Sequence, residues 1–353
     1  MTHTHTITVE PLGVEVSCRA DQSILEACLR QGVNLPHACT HGTCATCKVE
    51  VLDGDVDLGD ASAFALLESE RAEGKALICT ARPKSDVTIE DDVDEEDGVV
   101  FHPVRDFAAT VTLAEDCARD IRRLRLQLDH DIAFNPGQYV QVRIPGHPVT
   151  RSWSIASPPG CADAIELHIR RTPGGLATDG WVFAGLAEGD QVALTGPYGR
   201  FFLREHRTEP AILIGGGTGL APLKSIVRHV VETGTGHRLY LYHGARTLAD
   251  LYDVDYFTEL EGRSGGALSY RPVLSEEPVD GLRHGNVTDA VDEDFDTCGG
   301  HVAYLCGPPP MVDAALKMLM KKRLFPRDIY REDFYDASDN ATGGVRSPLL
   351  RTS

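Results

Sequence analysis

Residues 6–18, TITVEPLGVEVSC, alternate apolar and polar positions on both sides of a Pro-Leu-Gly turn, the period-two pattern of a half-buried β-hairpin. The next stretch, DQSILEACLRQGV, changes period. Ile24, Leu25, Cys28 and Leu29 share one helical face, with Asp21 or Ser23 as cap and Gly32 as stop. Strand patterns return at CKVEVLDG and SDVTIEDD, so residues 1–97 predict a small α+β unit. It ends at residues 90–98, EDDVDEEDG, where seven of the first eight residues are acidic, a run too charged to pack and expected to be a solvated linker.

Between residues 98 and 205 the strand patterns are short and separated by Pro and Gly: AATVTL, RRLRLQLD, QYVQVRIP, SWSIASP, AIELHIRR and DQVALTGPYG. Successive short strands with almost no helix predict an antiparallel barrel or sandwich, ended by a tight turn at Gly196-Pro197-Tyr198-Gly199. From 206 to 340 the rhythm changes again. AILIGGGTGLAPLKSIVRHVVETG, RLYLYHGAR, LSYRPVLS and HVAYLCGPPPMVDAALKMLMKK alternate apolar strands with helical patterns, the signature of a parallel sheet built from βαβ units. Residues 341–353 read as a loosely held tail.

Composition adds a class and a compartment. The 353 residues are 42% hydrophobic and 25% charged, as in a globular chain of two or three domains. No apolar run approaches the roughly 20 residues that span a bilayer. MTHTHTITVE has neither the basic start nor the apolar stretch of a secretory signal, so the expectation is a cytoplasmic protein. A formal net charge of -19 argues against nucleic acid and anionic membrane as partners. Residues 1–100 carry 20 Asp and Glu against 7 Lys and Arg, a concentration that serves solubility or steers a basic protein partner.

Ten cysteines in a reducing compartment are not a disulfide framework, and closely spaced ones read first as metal ligands or redox groups. Cys39, Cys44 and Cys47 fall within nine residues and Cys79 follows alone, the plant-type spacing of a 2Fe-2S cluster. A zinc ribbon would supply two close pairs instead. The small residues Gly42, Thr43, Ala45 and Thr46 let one loop wrap two irons, and its amides can hydrogen-bond the sulfurs. His37 and His41 read as loop residues. Cys18, Cys28, Cys117, Cys161 and Cys298 carry no ligand spacing and read as core.

Two further regions carry ligand chemistry. RSWSIASPP, residues 151–159, offers an Arg and two Ser able to meet a phosphate and a ring nitrogen, or simply to form a polar strand edge. RRTPGGLATDGW is a Gly-rich turn that can bring backbone amides to a pyrophosphate. Gly215, Gly216, Gly217 and Gly219 stand at a strand end before a helix, either a pyrophosphate position or a device for tight strand-to-helix packing; they depart from strict G-x-G-x-x-G. YLCGPPPMV is a second strand end before a helix, where ligands of open α/β sheets bind, and Cys306 there could lie against a nicotinamide ring.

Arg151, Trp153, Ser154 and Ser157 in the pattern R-x-(Y/W)-S-x-x-S, Gly216 to Pro222 in G-G-x-G-x-(A/S)-P, and Cys306 to Pro309 in C-G-P-P resemble the ferredoxin–NADP reductase superfamily. The resemblance is to the form with a plant-type ferredoxin fused ahead of the reductase, and it covers essentially residues 5 to 340. GTCATCKVEVLDGDVDLGDASAFALLESER and LFPRDIYREDFYDASD look most like reductase components of soluble di-iron monooxygenases, phenol hydroxylase reductases especially.

The resemblance implies a β-grasp 2Fe-2S ferredoxin domain (1–97), an antiparallel β-barrel FAD domain (98–205) and a parallel-sheet α/β NAD domain (206–340). It implies that Cys39, Cys44, Cys47 and Cys79 hold the cluster. Arg151 would contact the FAD pyrophosphate, Ser154 would sit near flavin N5, and Trp153 would flank the flavin without the phenolic hydroxyl of the usual Tyr. Ser157, His168, Ile169, Gly175, Ala177 and Thr178 would complete the FAD site. Gly216, Gly217, Thr218, Gly219, Cys306, Gly307 and Pro308 would hold the nicotinamide nucleotide. Phe334 would cover the isoalloxazine face, joining Ser154 and Cys306 where hydride passes.

The implied activity is electron transfer from NADH to FAD to the cluster to an external oxygenase docked near the cluster loop: the hydroxylase of a phenol, aromatic or alkane monooxygenase, or a Rieske ring-hydroxylating dioxygenase. An iron–sulfur carrier or sensor without nucleotide oxidation is the reading from a different class. Arg246 lacks an accompanying Ser or second basic residue where a 2′-phosphate would sit, which favours NADH. The protein is expected to be monomeric when free.

Overall fold

The computed structural model describes residues 3–38, 40–91, 98–161 and 163–334, which form two units divided between Arg105 and Asp106. Of the expected linker at 90–98, Glu90 and Asp91 belong instead to the packed unit, Glu90 in a strand and Asp91 buried with its amide donating to the Glu10 carbonyl at 3.1 Å; residues 92–97 and the expected tail at 341–353 lie outside the described residues. In the first unit, β1 (Thr4–Glu10) and β2 (Val14–Arg19) form the antiparallel hairpin that the alternation predicts. Helix α1 (Ile24–Arg30) starts where the Ser23 side chain accepts from the Glu26 amide at 3.3 Å, and it buries Ile24, Leu25, Ala27, Cys28 and Leu29. There follow β3 (Lys48–Asp53), β4 (Val56–Asp57), α2 (Glu68–Ala72), β5 (Lys75–Leu77), β6 (Arg82–Pro83) and β7 (Val87–Glu90). The five-stranded sheet runs β2-β1-β7-β3-β5, and its β1–β7 pair is parallel. This mixed sheet crossed by a helix is the β-grasp arrangement. The unit extends past residue 97 because the Val104 amide donates to the Leu29 carbonyl at 3.1 Å.

The second unit opens with a six-stranded sheet in the order β11-β10-β13-β8-β9-β12. Its strands are β8 (Arg105–Ala118), β9 (Ile121–Leu128), β10 (Tyr139–Arg143), β11 (Thr150–Ser154), β12 (Ala164–Arg170) and β13 (Gln191–Tyr198). Ile155, just after β11, bridges Leu167 of β12, so the two outer strands meet, the contact that barrel closure requires. Its inward side chains, among them Val111, Leu126, Val140, Ile155, Leu167 and Ile169, make one core. Gly196-Pro197-Tyr198 differs from the expected closing turn: it finishes β13, opposite an irregular register at Tyr139–Gln141. Gly196 fits there because a Cβ would lie 2.8 Å from Val140 Cγ1.

A parallel sheet completes the unit: β14 (Ala211–Gly216), α3 (Leu220–Thr233), β15 (Leu239–Ala245), α4 (Val254–Arg263), β16 (Leu268–Leu274), β17 (Arg283–His284), α5 (Val287–Asp294), β18 (Val302–Gly307), α6 (Pro309–Lys321) and β19 (Ile329–Asp333). The strand order is β17-β16-β15-β14-β18-β19, and the registered pairs are parallel. The chain therefore moves outward from β14 on one side and resumes at β18 on the other. The carboxyl ends of β14 and β18 flank a topological switch point, where ligands of such sheets bind. Among the described residues, no helix is long and apolar enough to cross a membrane.

Candidate cluster and nucleotide sites

The cysteine loop of the first unit is locally strained. Thr40, Gly42 and Ala45 all take left-handed backbone conformations, an arrangement that costs non-glycine residues roughly 1–2 kcal/mol each and persists where surrounding structure enforces it. Gly42 is forced by contact as well. A Cβ there would lie 2.8 Å from Thr80 Cγ2 and 3.3 Å from the Asp60 carbonyl, so glycine brings the loop against the segment that carries Cys79. The Thr80 hydroxyl donates to the Leu58 carbonyl at 2.9 Å, the Ser62 amide to the Gly42 carbonyl at 3.0 Å, and the Ile78 amide to the Cys47 carbonyl at 3.1 Å. His37 is buried in the loop with Nδ1 at 2.8 Å from the Leu35 carbonyl.

These contacts gather three of the four expected ligands. The Cys47 thiol is pushed up by its hydrogen bond with Cys79 and then by burial, and Cys44 adds to the same effect. No disulfide joins the described cysteines; Cys39 lies outside the described residues. No group of three or more His, Cys, Asp and Glu side chains among the described residues is placed to hold a metal ion. A binuclear cluster asks for a wider set, four thiolates shared between two irons. A tight loop and thiols gathered from two segments fit that group.

In the second unit, β11 carries Arg151, Trp153 and Ser154 along an outer strand of the antiparallel sheet. The exposed Arg151 guanidinium donates to the Thr150 carbonyl at 2.8 Å and has no carboxylate partner among the described residues. Trp153 stacks on Trp181 with centroids 6.3 Å apart. Ser154 is buried, and its hydroxyl makes no hydrogen bond among the described residues. Ser157 is a stitch between elements: its hydroxyl accepts from the Glu166 amide at 3.1 Å, and its carbonyl accepts from the Ser225 hydroxyl of α3 at 2.7 Å. The Gly-rich turn is set by Thr178, whose hydroxyl accepts from the Thr172 amide at 3.0 Å and donates to the Thr172 carbonyl at 3.2 Å. Gly175 fits beneath it, since a Cβ would stand 2.8 Å from Thr178 Oγ1, and Ala177 is buried. A Cys-free polar strand, an unmatched guanidinium and a spare hydroxyl suit a phosphate-bearing flavin nucleotide.

At the switch point the two predicted strand ends touch. A Cβ on Gly219 would lie 2.1 Å from the Cys306 carbonyl oxygen, and one on Gly307 would lie 2.8 Å from the Gly216 oxygen. Gly217 has φ +56°, and nothing lies within 4 Å of its missing Cβ. Thr218 is half-buried beside it. Pro308 immediately precedes α6, and the Phe334 amide donates to the Gly307 carbonyl at 3.0 Å. Phe334 packs, half-buried, against the core that contains Cys306. The Cys306 thiol is fully buried, and burial, reinforced by Glu332 and Asp333, keeps its pKa well above the ordinary thiol value.

Two placements qualify the sequence reading. Both ring nitrogens of His168 are engaged, Nε2 with Glu166 Oε1 at 2.9 Å and Nδ1 with the Tyr252 hydroxyl at 3.0 Å. The Ile169 side chain lies in the core of the antiparallel sheet. The sequence reading also missed a buried charge set formed by Arg123, Glu166, Lys224 and Asp253. One signal was available: Lys224 interrupts the apolar run LAPLKSIV at the start of α3.

Family models match the three segments in order. Residues 7–84 match a 2Fe-2S iron-sulfur cluster binding domain, 108–203 an oxidoreductase FAD-binding domain, and 213–317 an oxidoreductase NAD-binding domain. The chain is similar to the phenol 2-monooxygenase reductase component of Pseudomonas sp. strain CF600, 46% identical over 98% of this chain and 99% of that one. It is 40% identical to the propane 2-monooxygenase reductase component of Mycolicibacterium goodii over 96% of this chain and 98% of that one. The crystal structure of the Amycolatopsis reductase GcoB superposes with a TM-score of 0.88 at 45% identity, covering 95% of this chain and all of that one.

Proposed function

This chain belongs to the iron–sulfur flavoprotein reductases that include the reductase components of phenol and propane monooxygenases, and from that membership we propose that it supplies electrons from NADH to the hydroxylase of a di-iron monooxygenase in the cytoplasm. The hydroxylase would act on phenol, another aromatic or an alkane. The observation that carries this reading is one chain combining a cysteine loop built for a binuclear cluster with glycine and Cys-Gly-Pro strand ends in contact at a switch point. When bound, the nicotinamide supplies a hydride, FAD takes up its two electrons, and the cluster conducts electrons one at a time.

The chain's own residues bind, orient and shield. Cys39, Cys44, Cys47 and Cys79 would hold the cluster. Arg151 would pair with the FAD pyrophosphate, the free Ser154 hydroxyl would face the flavin ring near N5, and Trp153, backed by Trp181, would flank it. Gly175, Ala177 and Thr178 would present backbone to the FAD. His168 and Ile169 would do the same, since the ring of one is held in hydrogen bonds and the side chain of the other is in the core. Gly216 to Gly219 and Cys306 to Pro308 would cradle NADH. Because burial keeps the Cys306 thiol protonated, it offers the nicotinamide a compact neutral surface. Phe334 would cover the flavin face until nicotinamide enters. Hydride transfer needs no general base here.

An anaerobic titration of the purified protein with NADH, and separately with NADPH, tests the reading through flavin absorbance and the electron paramagnetic resonance of the cluster. NADH should bleach the flavin first, followed by the signal of a reduced 2Fe-2S centre, with NADPH the poorer donor. Failure of NADH to reduce either centre, while a chemical reductant still reveals the cluster, would leave an iron–sulfur carrier and overturn it.

A further inference from the structure

The second unit contains a buried polar set that the proposed electron path does not use. Glu166 Oε1 of β12 lies 2.9 Å from His168 Nε2 and 2.8 Å from Lys224 Nζ of α3. Lys224 also donates to Asp253 Oδ2 at 2.6 Å, and Arg123 of β9 pairs with the other oxygen of Asp253. Asp253 takes a left-handed conformation at φ +57°, strained for a non-glycine residue and held by these two cations. Tyr252, its neighbour, is 3% exposed. The Tyr252 hydroxyl lies 3.0 Å from His168 Nδ1 and 3.2 Å from the carbonyl oxygen of Gly217.

A proton count makes this contact informative. A carboxylate only accepts, so His168 Nε2 carries the proton directed at Glu166. Burial favours the neutral imidazole, which leaves Nδ1 as an acceptor. The Gly217 carbonyl is an acceptor too. One hydroxyl proton is thus offered to two acceptors, one on the FAD-domain strand β12 and the other in the glycine loop. Within the planar trans peptide, fixing the Gly217 carbonyl turns the Thr218 N–H to the opposite side. That N–H starts a helical run and has no intrahelical carbonyl to meet, and the open face of Gly217 lies next to it.

We propose that Tyr252 is a positioning residue for the dinucleotide: its hydroxyl pins the Gly217 carbonyl, so that the loop amides are set toward the pyrophosphate, and His168 Nδ1 on strand β12 competes for the same proton. The inference rests on reading this loop as the dinucleotide site. ADP-ribose and NAD+ share the pyrophosphate, so a residue that sets the loop governs both equally.

The test is calorimetric titration of the flavin- and cluster-loaded full chain with ADP-ribose and with NAD+. Tyr252→Phe, with wild-type flavin content, should bind both about tenfold more weakly. Wild-type affinity for both in that variant, or a loss confined to NAD+, would overturn the inference. Gly217→Ala separates the two levels. Undiminished ADP-ribose binding by G217A means that the loop is not the dinucleotide site; weakened binding by G217A beside wild-type binding by Y252F removes Tyr252 alone. Should Y252F lose its flavin, His168→Phe deletes the competing acceptor and leaves Glu166 paired with Lys224. ADP-ribose affinity at or above wild type in H168F supports the inference, and a tenfold loss overturns it.

Discussion

A Cβ on Gly219 would stand 2.1 Å from the Cys306 carbonyl oxygen, whereas one on Gly217 would meet nothing within 4 Å. Two glycines of one loop therefore answer to different constraints: Gly219 lets two strand ends touch, and Gly217 serves a left-handed backbone with an open face. Gly219→Ala should destabilise the second unit by about 3 kcal/mol through overpacking against backbone that cannot yield. Gly217→Ala should cost about 1 kcal/mol, the conformational penalty alone. Urea unfolding followed by flavin release measures both, and equal losses would contradict the distinction. The pattern of glycines was legible in the sequence, and so was the alternative that they serve tight packing. Which glycine does which depends on Cys306, 87 positions along the chain from Gly219, and only the fold supplies that neighbour.

Helix α3 belongs to both halves of the second unit. Its apolar face packs into the parallel sheet, while Lys224 and Ser225 reach Glu166 and Ser157 beside the antiparallel one. Lys224→Met would leave Glu166 and Asp253 as buried carboxylates short of a cation, a change that costs about 3–5 kcal/mol. Burial by itself would raise both carboxyl pKa values. The His168 hydrogen bond and Lys224 charge at Glu166, and Lys224 with Arg123 at Asp253, reverse that and hold both low. A lowered folded-state value contributes stability above the unfolded pKa, about 3.9 for Asp and 4.3 for Glu, and loses it as pH falls through the folded value. Wild-type urea midpoints should therefore drop below about pH 4, with a smaller acid-side drop in K224M; parallel pH profiles would contradict the assignment. The strands and the two longest helices of this unit, α3 and α6, were legible from periodicity. Helices α4 and α5 and strands β17 and β19 were not: α4 buries only Phe257 and Leu260, α5 only Val287, Ala290 and Val291, and β17 is two residues long. The charge set was invisible for another reason: its members come from β9, β12, α3 and the residue before α4, and no local pattern joins them.

At the scale of the whole molecule the chemistry is divided. The cysteine loop belongs to a unit ending at Arg105, and the segments that match FAD-binding and NAD-binding domains belong to a unit beginning at Asp106. Each unit has its own sheets, so removing one thiol should leave the other unit's fold and chemistry intact. Cys79 is the sharpest place to cut. It lies apart from the other three proposed ligands in sequence and is held to the loop that carries Cys44 and Cys47 through Thr80, Gly42 and the Cys47 hydrogen bond. Cys79→Ser in the full chain should abolish the 2Fe-2S resonance and lower transfer to cytochrome c, a basic one-electron protein acceptor, by at least about tenfold. NADH should still bleach the flavin at close to the wild-type rate, because hydride transfer uses only the second unit. Equal loss of both activities would place the cluster before the flavin or make the units interdependent. The first hundred residues carry 20 acidic against 7 basic side chains, so wild-type transfer to that acceptor should also fall with added salt. Flavin reduction by NADH should change less, since it does not depend on meeting a charged protein. A salt response confined to the second step would show that the acidic unit steers a protein partner, a role that composition alone left level with solubility.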